Sequence, residues 1–169
     1  MVTLDHEESV ISHSIVVSAS AEVLYDMVAD ITRMGEWSIT CIGATWDKGA
    51  GPVPTEGAWF TGHNVVGELK HDARCEVVAA ERPTTIAWMQ GGRVEGFTEW
   101  RYRFVPVEGG TEVTESWTQV RPFPADRVDG EMVNRMRRGF DRGINVTLAR
   151  LKGTAESNDP WSAGGARRL

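Results

Sequence analysis

The spacing of hydrophobic and polar positions changes period along the chain, and each period predicts a different element. From Ser9 to Ser18 apolar residues alternate, which sets Ile11, His13, Ile15 and Val17 on one face of a first strand. Ser18-Ala19-Ser20-Ala21-Glu22 then supplies a serine cap and an acidic first turn. Val23, Leu24, Met27, Val28 and Ile31 follow at helical spacing. These residues predict a short helix over about Ala21–Ala29 and a second short helical piece ending near Trp37.

From Cys41 to Arg121 the period is two, broken at Gly49-Ala50-Gly51-Pro52, Gly67, Arg82-Pro83, Gly91-Gly92 and Gly109-Gly110. The predicted strands are Cys41–Asp47, Ala58–Val66, Leu69–Ala79, Thr84–Met89, Gly96–Val107 and Thr111–Val120. Connections this short join antiparallel neighbours, because a parallel crossover needs about a dozen residues. After Pro122-Phe123-Pro124, the residues Val128, Met132, Met136, Phe140, Ile144 and Leu148 recur at every fourth position, widened by Val133 and Leu151. That stripe predicts one amphipathic helix from about Ala125 to Lys152.

A lone long helix with one apolar stripe needs a concave partner, and here only a sheet is available. The expected architecture is α+β: a seven-stranded curved antiparallel sheet, two short helices after the first strand, and a long C-terminal helix packed in the concave face. The expected organisation is an N-terminal tail over 1–8, one domain over 9–156 and a disordered tail over 157–169.

Composition narrows the function classes. A chain of 169 residues fits one domain. Its net charge of −6 argues against a nucleic-acid or anionic-membrane surface, which needs a basic footprint. No apolar run reaches membrane-spanning length, and the two cysteines, Cys41 and Cys75, lack metal or disulfide spacing. The reading is cytoplasmic, a monomer or homodimer. His6, His13, His63 and His71 form no metal-binding pattern, and no dinucleotide fingerprint, P-loop or GxSxG elbow is present. No metal and no cofactor are therefore expected. The seven tryptophans are the unusual feature, since Trp favours places where an apolar wall meets something polar.

The stretch from Ala29 through Asp30-Ile31-Thr32-Arg33 to Glu36-Trp37-Ser38 resembles a segment of START-like (SRPBCC) polyketide cyclase/dehydrase proteins, the superfamily that includes the birch-pollen allergen type. Phe60-Thr61-Gly62-His63-Asn64, Gly110-Thr111-Glu112-Val113 and the run from Thr147 to Lys152 add to the resemblance, which covers about Val10 to Glu156. It implies the helix-grip fold, with activities ranging from lipid carriage to aromatic cyclisation.

Alternation sorts the strands into faces. Thr98, Trp100, Tyr102 and Phe104 share one face, as do Val113, Glu115 and Trp117. Ala73, Cys75 and Val77 form the apolar face of their strand, with His71 on it, and Ile86 and Trp88 are chosen for the next. On the strand over 58–66 the inward set is Phe60, Gly62 and Asn64, with Trp59, His63 and Val65 as the alternative.

Glu115, between two apolar neighbours, is a candidate general acid or base, or else the partner of an arginine such as Arg101 or Arg74. His71 and Tyr102 complete a possible acid–base set. Trp37, Phe60, Cys75, Trp88, Trp100 and Trp117, with Met132, Met136 and Phe140 from the helix, would line an apolar cavity, and Asn64 would offer it a donor and an acceptor. The expected function is binding of an apolar or aromatic small molecule, lipid- or polyketide-like. A cyclase or dehydratase using the same cavity is the alternative, and a partner-binding module with a filled core is the third reading.

Overall fold

The fold, a computed structural model, is described over residues 10–124 and 126–157. The tail predicted over 1–8 lies outside those residues, as does the tail predicted over 157–169 apart from Ser157, which is the last residue of the C-terminal helix. Seven strands form one antiparallel sheet: β1 (Val10–Val17), β2 (Cys41–Trp46), β3 (Trp59–Val66), β4 (Leu69–Glu81), β5 (Thr85–Gln90), β6 (Thr98–Val107) and β7 (Gly110–Gln119). Their spatial order is β1-β7-β6-β5-β4-β3-β2, so the first strand pairs with the last and the meander from β2 to β7 fills the rest.

Helix α1 (Ala21–Ala29) follows β1, and Ser20 caps it by accepting the Val23 N–H at 3.3 Å. A 3₁₀ helix (Ile31–Glu36) comes next, capped by Asp30 on the Thr32 N–H at 3.2 Å. The Gly91-Gly92 break holds more than a turn. Gly91 and Gly92 have φ of 85° and 82° and open a one-turn helix, α2 (Gly92–Glu95), which alternation alone had placed inside a plain turn. A Cβ on Gly92 would fall 2.4 Å from the Trp59 ring, so the position takes only glycine.

Helix α3 (Gly130–Ser157) starts later and ends later than its periodicity predicts. The Pro124 carbonyl accepts the N–H groups of Arg127 and Val128 at 3.0 Å each, closing a turn where the helix was expected. The Asp129 carboxylate then caps the helix by accepting the Met132 N–H at 2.7 Å. At the far end, Lys152 donates to the Val16 carbonyl at 2.8 Å and pairs with Glu156 at 2.6 Å. Glu156 also accepts the Ser18 N–H at 3.0 Å, so the last turns are tied to the end of β1.

The two halves of α3 differ. Ile144, Thr147, Leu148, Leu151 and Ala155 are buried against the sheet, whereas no residue from 130 to 143 is fully buried. The second half closes the core and the first half stands off from it. Among the described residues no helix is long and apolar enough to cross a membrane.

Candidate functional site

Strand register places the inward side chains in rows across the sheet. Trp88, Trp100 and Trp117 pair in turn across β5, β6 and β7. One step toward the Gly91 end lie Gln90, Thr98 and Gln119, and one step the other way lie Ile86, Tyr102 and Glu115. Each row is fixed by the pleat, which returns a side chain to the same face every second residue.

Phe140 descends from α3 onto the tryptophan row. Its ring meets Trp100 edge-on at 5.2 Å and Trp117 at 5.1 Å. Beyond that contact, toward the β5–β6 connection, a cleft of about 530 Å³ opens. Its walls are Phe97, Trp117, Phe123, Met136 and Phe140, with Thr98, Gln90, Gly91, Glu95 and Arg127 also lining it. Phe97 and Phe123 stack at 5.7 Å and form one wall as a unit.

That wall is held by two arginines. Arg93 donates to Glu56 at 2.9 Å and to the Val78 carbonyl at 2.8 Å, and its own N–H is accepted by Glu76 at 2.8 Å. Arg121 donates to the carbonyl oxygens of Gly96 and of Arg93, the latter at 2.9 Å. The connection over 91–97 is thus stapled to β4 and to the chain after β7. A cleft with one fixed wall and one lightly packed helix above it is suited to admitting a guest.

Away from the cleft the interior is filled by rings, Trp88 of the tryptophan row among them. Trp46, Phe60, Trp88, Tyr102, Phe104 and Tyr25 follow one another with centroids 5.6, 5.9, 5.8, 6.4 and 5.9 Å apart. Glu115 sits among these groups, 4 % exposed, opposite Tyr102 on the neighbouring strand. The two side chains are hydrogen-bonded, and burial pushes the Glu115 carboxyl up to about 8, with the tyrosine bond opposing the rise. Tyr102 is pushed well above its ordinary value by burial and by the neighbouring carboxylate. The second oxygen of Glu115, Oε2, is buried without a partner.

The arginine alternative for Glu115 does not hold. Arg101 bonds Glu99 at 2.8 Å and Arg74 bonds Asp47 at 2.6 Å, both at the outer surface. His71 is a second correction. It lies opposite Asn64 but is exposed, because β4 overhangs β5: Cys75 is the first β4 residue with a β5 partner. The expected trio of Glu115, His71 and Tyr102 is therefore a pair. Met132 is a third correction: it is 41 % exposed, one turn before Met136 and outside the cleft lining.

Of the expected apolar lining, Trp117, Met136 and Phe140 do face the cleft. Trp37, Phe60, Cys75 and Trp88 are buried within the packed interior, and Trp100 is half-buried against Phe140. Phe60 and Gly62 point inward while Trp59 lies outside under the Arg74 guanidinium, 5.0 Å from its ring. The Asn64 amide donates to the Gly62 carbonyl of its own strand at 3.2 Å. Phe97, Phe123, Gln90, Glu95 and Arg127 were not singled out in the sequence. Their one signal is the pairing of the Gly91-Gly92 break with Pro122-Phe123-Pro124, two irregular segments that meet only in three dimensions.

Comparison with known proteins gives a consistent picture. A family described as polyketide cyclase/dehydrase and lipid transport matches residues 9–156. No curated protein matches the chain. The solution structure of a Polyketide_cyc-like protein from Corynebacterium glutamicum is 31 % identical, with a TM-score of 0.64 over 95 % of this chain and 97 % of that one. A crystal structure of a protein from Nitrosomonas europaea, 13 % identical, superposes with a TM-score of 0.70 over 91 % of this chain and 97 % of its own. The di-domain ARO/CYC StfQ of the steffimycin biosynthetic pathway, 15 % identical, gives 0.66 over 94 % of this chain and 53 % of its length. The last two likenesses are of fold alone.

Proposed function

The chain belongs to the polyketide cyclase/dehydrase and lipid transport family, and from that premise we propose that it binds an apolar or aromatic small molecule in the cleft between the tryptophan row and the first half of α3. The observation that carries this reading is the cleft of about 530 Å³ walled by Phe97, Trp117, Phe123, Met136 and Phe140. An aromatic guest burying about 200 Å² of apolar surface gains about 5 kcal/mol. That gain offsets much of the cost of association, and polar contacts add to it. A partner-binding module with a filled core has no use for such an opening. Native mass spectrometry of protein purified without denaturant tests the reading. The expected result is a copurified or added aromatic molecule retained at one per chain, reduced by Phe140→Ala. Equal retention by the wild type and that variant contradicts it.

A second reading, proton transfer to a bound substrate, is favoured by one observation. Glu115 is held protonated near neutral pH by burial, beside Tyr102 and with one oxygen unpartnered. It lies one row beneath Trp117, outside the cleft lining. With Glu115 4 % exposed, a substrate reaches it only when neighbouring side chains move. A cyclase or dehydratase of this kind loses turnover in Glu115→Gln while keeping affinity, whereas a carrier has no turnover to lose.

A further inference from the structure

The charged groups around the cleft are unevenly satisfied. Arg127 lines the cleft, is exposed, and its guanidinium makes no ion pair or hydrogen bond with any described residue. Arg121, which braces the wall, spends its donors on carbonyl oxygens and has no carboxylate within ion-pair reach among the described residues. Its positive charge is therefore left uncancelled. Arg93, Arg74, Arg82, Arg33 and Arg101 are each paired with a carboxylate; of the described arginines that form no ion pair, Arg127 is the one that lines the cleft. Among the residues lining the cleft Arg127 is the one cation and Glu95 the one carboxylate, with Arg121 behind the wall rather than in the lining, in a chain whose net charge is −6.

Near the same end, the amide of Gln119 is buried. Its nitrogen donates to the Arg121 carbonyl at 3.1 Å and its oxygen has no partner. Thr98, paired with Gln119 in register, lines the cleft floor beside Gln90. The cleft thus has an apolar body, a few neutral polar groups and a free guanidinium at one side.

Resting on the ligand-binding reading of this cleft, we infer that its guest is an amphipathic acid: an aromatic or apolar body against Trp117, Phe140 and Phe97, with an anionic group held by Arg127. A planar guanidinium with free donors binds carboxylate or sulfonate oxygens through two parallel N–H bonds, which a neutral guest cannot use. Arg121 adds a favourable field without contact, and Glu95 opposes it.

Two dyes that share a ring system test this: anilinonaphthalene sulfonate, which carries an anion, and phenylnaphthylamine, which does not. Fluorescence titration of the wild type is expected to show tighter binding of the sulfonate, weakening with added salt. Arg127→Gln weakens the sulfonate roughly fivefold and leaves the neutral dye unchanged, and Glu95→Gln tightens the sulfonate. Arg150→Gln, remote from the cleft, leaves both unchanged. If both dyes bind alike, or if Arg127→Gln weakens both to the same degree, the acid specificity is wrong while the cleft stands. If neither dye binds, the cleft reading itself falls, and this inference with it. Far-UV circular dichroism checks that each variant keeps its fold.

Discussion

Glu115 on β7 and Tyr102 on β6 face each other in register and share a hydrogen bond in the filled part of the interior. The carboxyl is raised by desolvation from its ordinary 4.5 to about 8. Between those values the folded chain holds a proton that the unfolded chain has released. Stability from this group is therefore full below about pH 4.5 and is lost as the pH climbs through about 8. Urea unfolding across this range is expected to show a falling midpoint, and Glu115→Gln should flatten it and gain up to about 5 kcal/mol at alkaline pH. A midpoint that rises with pH in the wild type and not in the variant contradicts the burial argument.

Tyr102→Phe removes the interaction that opposes that rise, because the tyrosine bond lowers the Glu115 value. The midpoint of the pH-dependent stability loss should move upward. Overall stability should drop by about 1–2 kcal/mol, since one buried oxygen loses its donor. An unchanged midpoint would mean that the two groups do not communicate.

Much of this pair was legible in the sequence, and the reason is specific. Period-two alternation assigns Glu115 to the same face as Val113 and Trp117, and Tyr102 to the same face as Phe104, without knowledge of the neighbours. What alternation cannot give is how far along a strand the neighbouring strand extends. His71 has the right parity yet lies where β4 has outrun β5, so it is exposed. The stripe on α3 poses a different problem. Met132 and Leu148 belong to the same every-fourth-residue row, but such a row drifts about 40° per step and so turns about 160° over the sixteen residues between them; Met132 has left the face that buries Leu148 against the sheet. The cleft walls Phe97 and Phe123 belong to irregular segments, where no periodicity operates.

The division of α3 predicts opposite outcomes for two truncations. Leu151→Ala removes a fully buried side chain and should destabilise by about 2–5 kcal/mol with little effect on dye binding in the folded protein. Phe140→Ala removes the ring that bridges Trp100 and Trp117, and should weaken dye binding about tenfold for a smaller loss of stability. Calorimetry and fluorescence titration on the same samples check both. Equal binding losses would place the guest elsewhere.

Gly92→Ala tests the fixed wall. The new methyl would meet the Trp59 ring at 2.4 Å on a backbone with φ of 82°, so a loss of about 1–3 kcal/mol is expected. Amide exchange over 91–97 should accelerate as the connection loosens. Wild-type exchange there would show that Arg93 and Arg121 hold the segment without α2.

Cys41 and Cys75 should resist alkylation in the native state. Both are buried, and burial pushes the Cys75 thiol up to about 12 and raises Cys41 as well. Mass spectrometry after iodoacetamide treatment should find neither modified until urea is added, after which both react. Rapid native labelling of Cys75 would mean that the interior opens to water.

The most direct measurement is an NMR titration of the isotope-labelled chain with phenylnaphthylamine. The largest shifts are predicted at Gly91, Phe97, Thr98 and Met136, with the indole N–H of Trp117 among them and the β1–α3 junction around Val16 and Lys152 undisturbed. Shifts spread over the outer face, or confined to the far end of α3, would contradict a guest in the cleft.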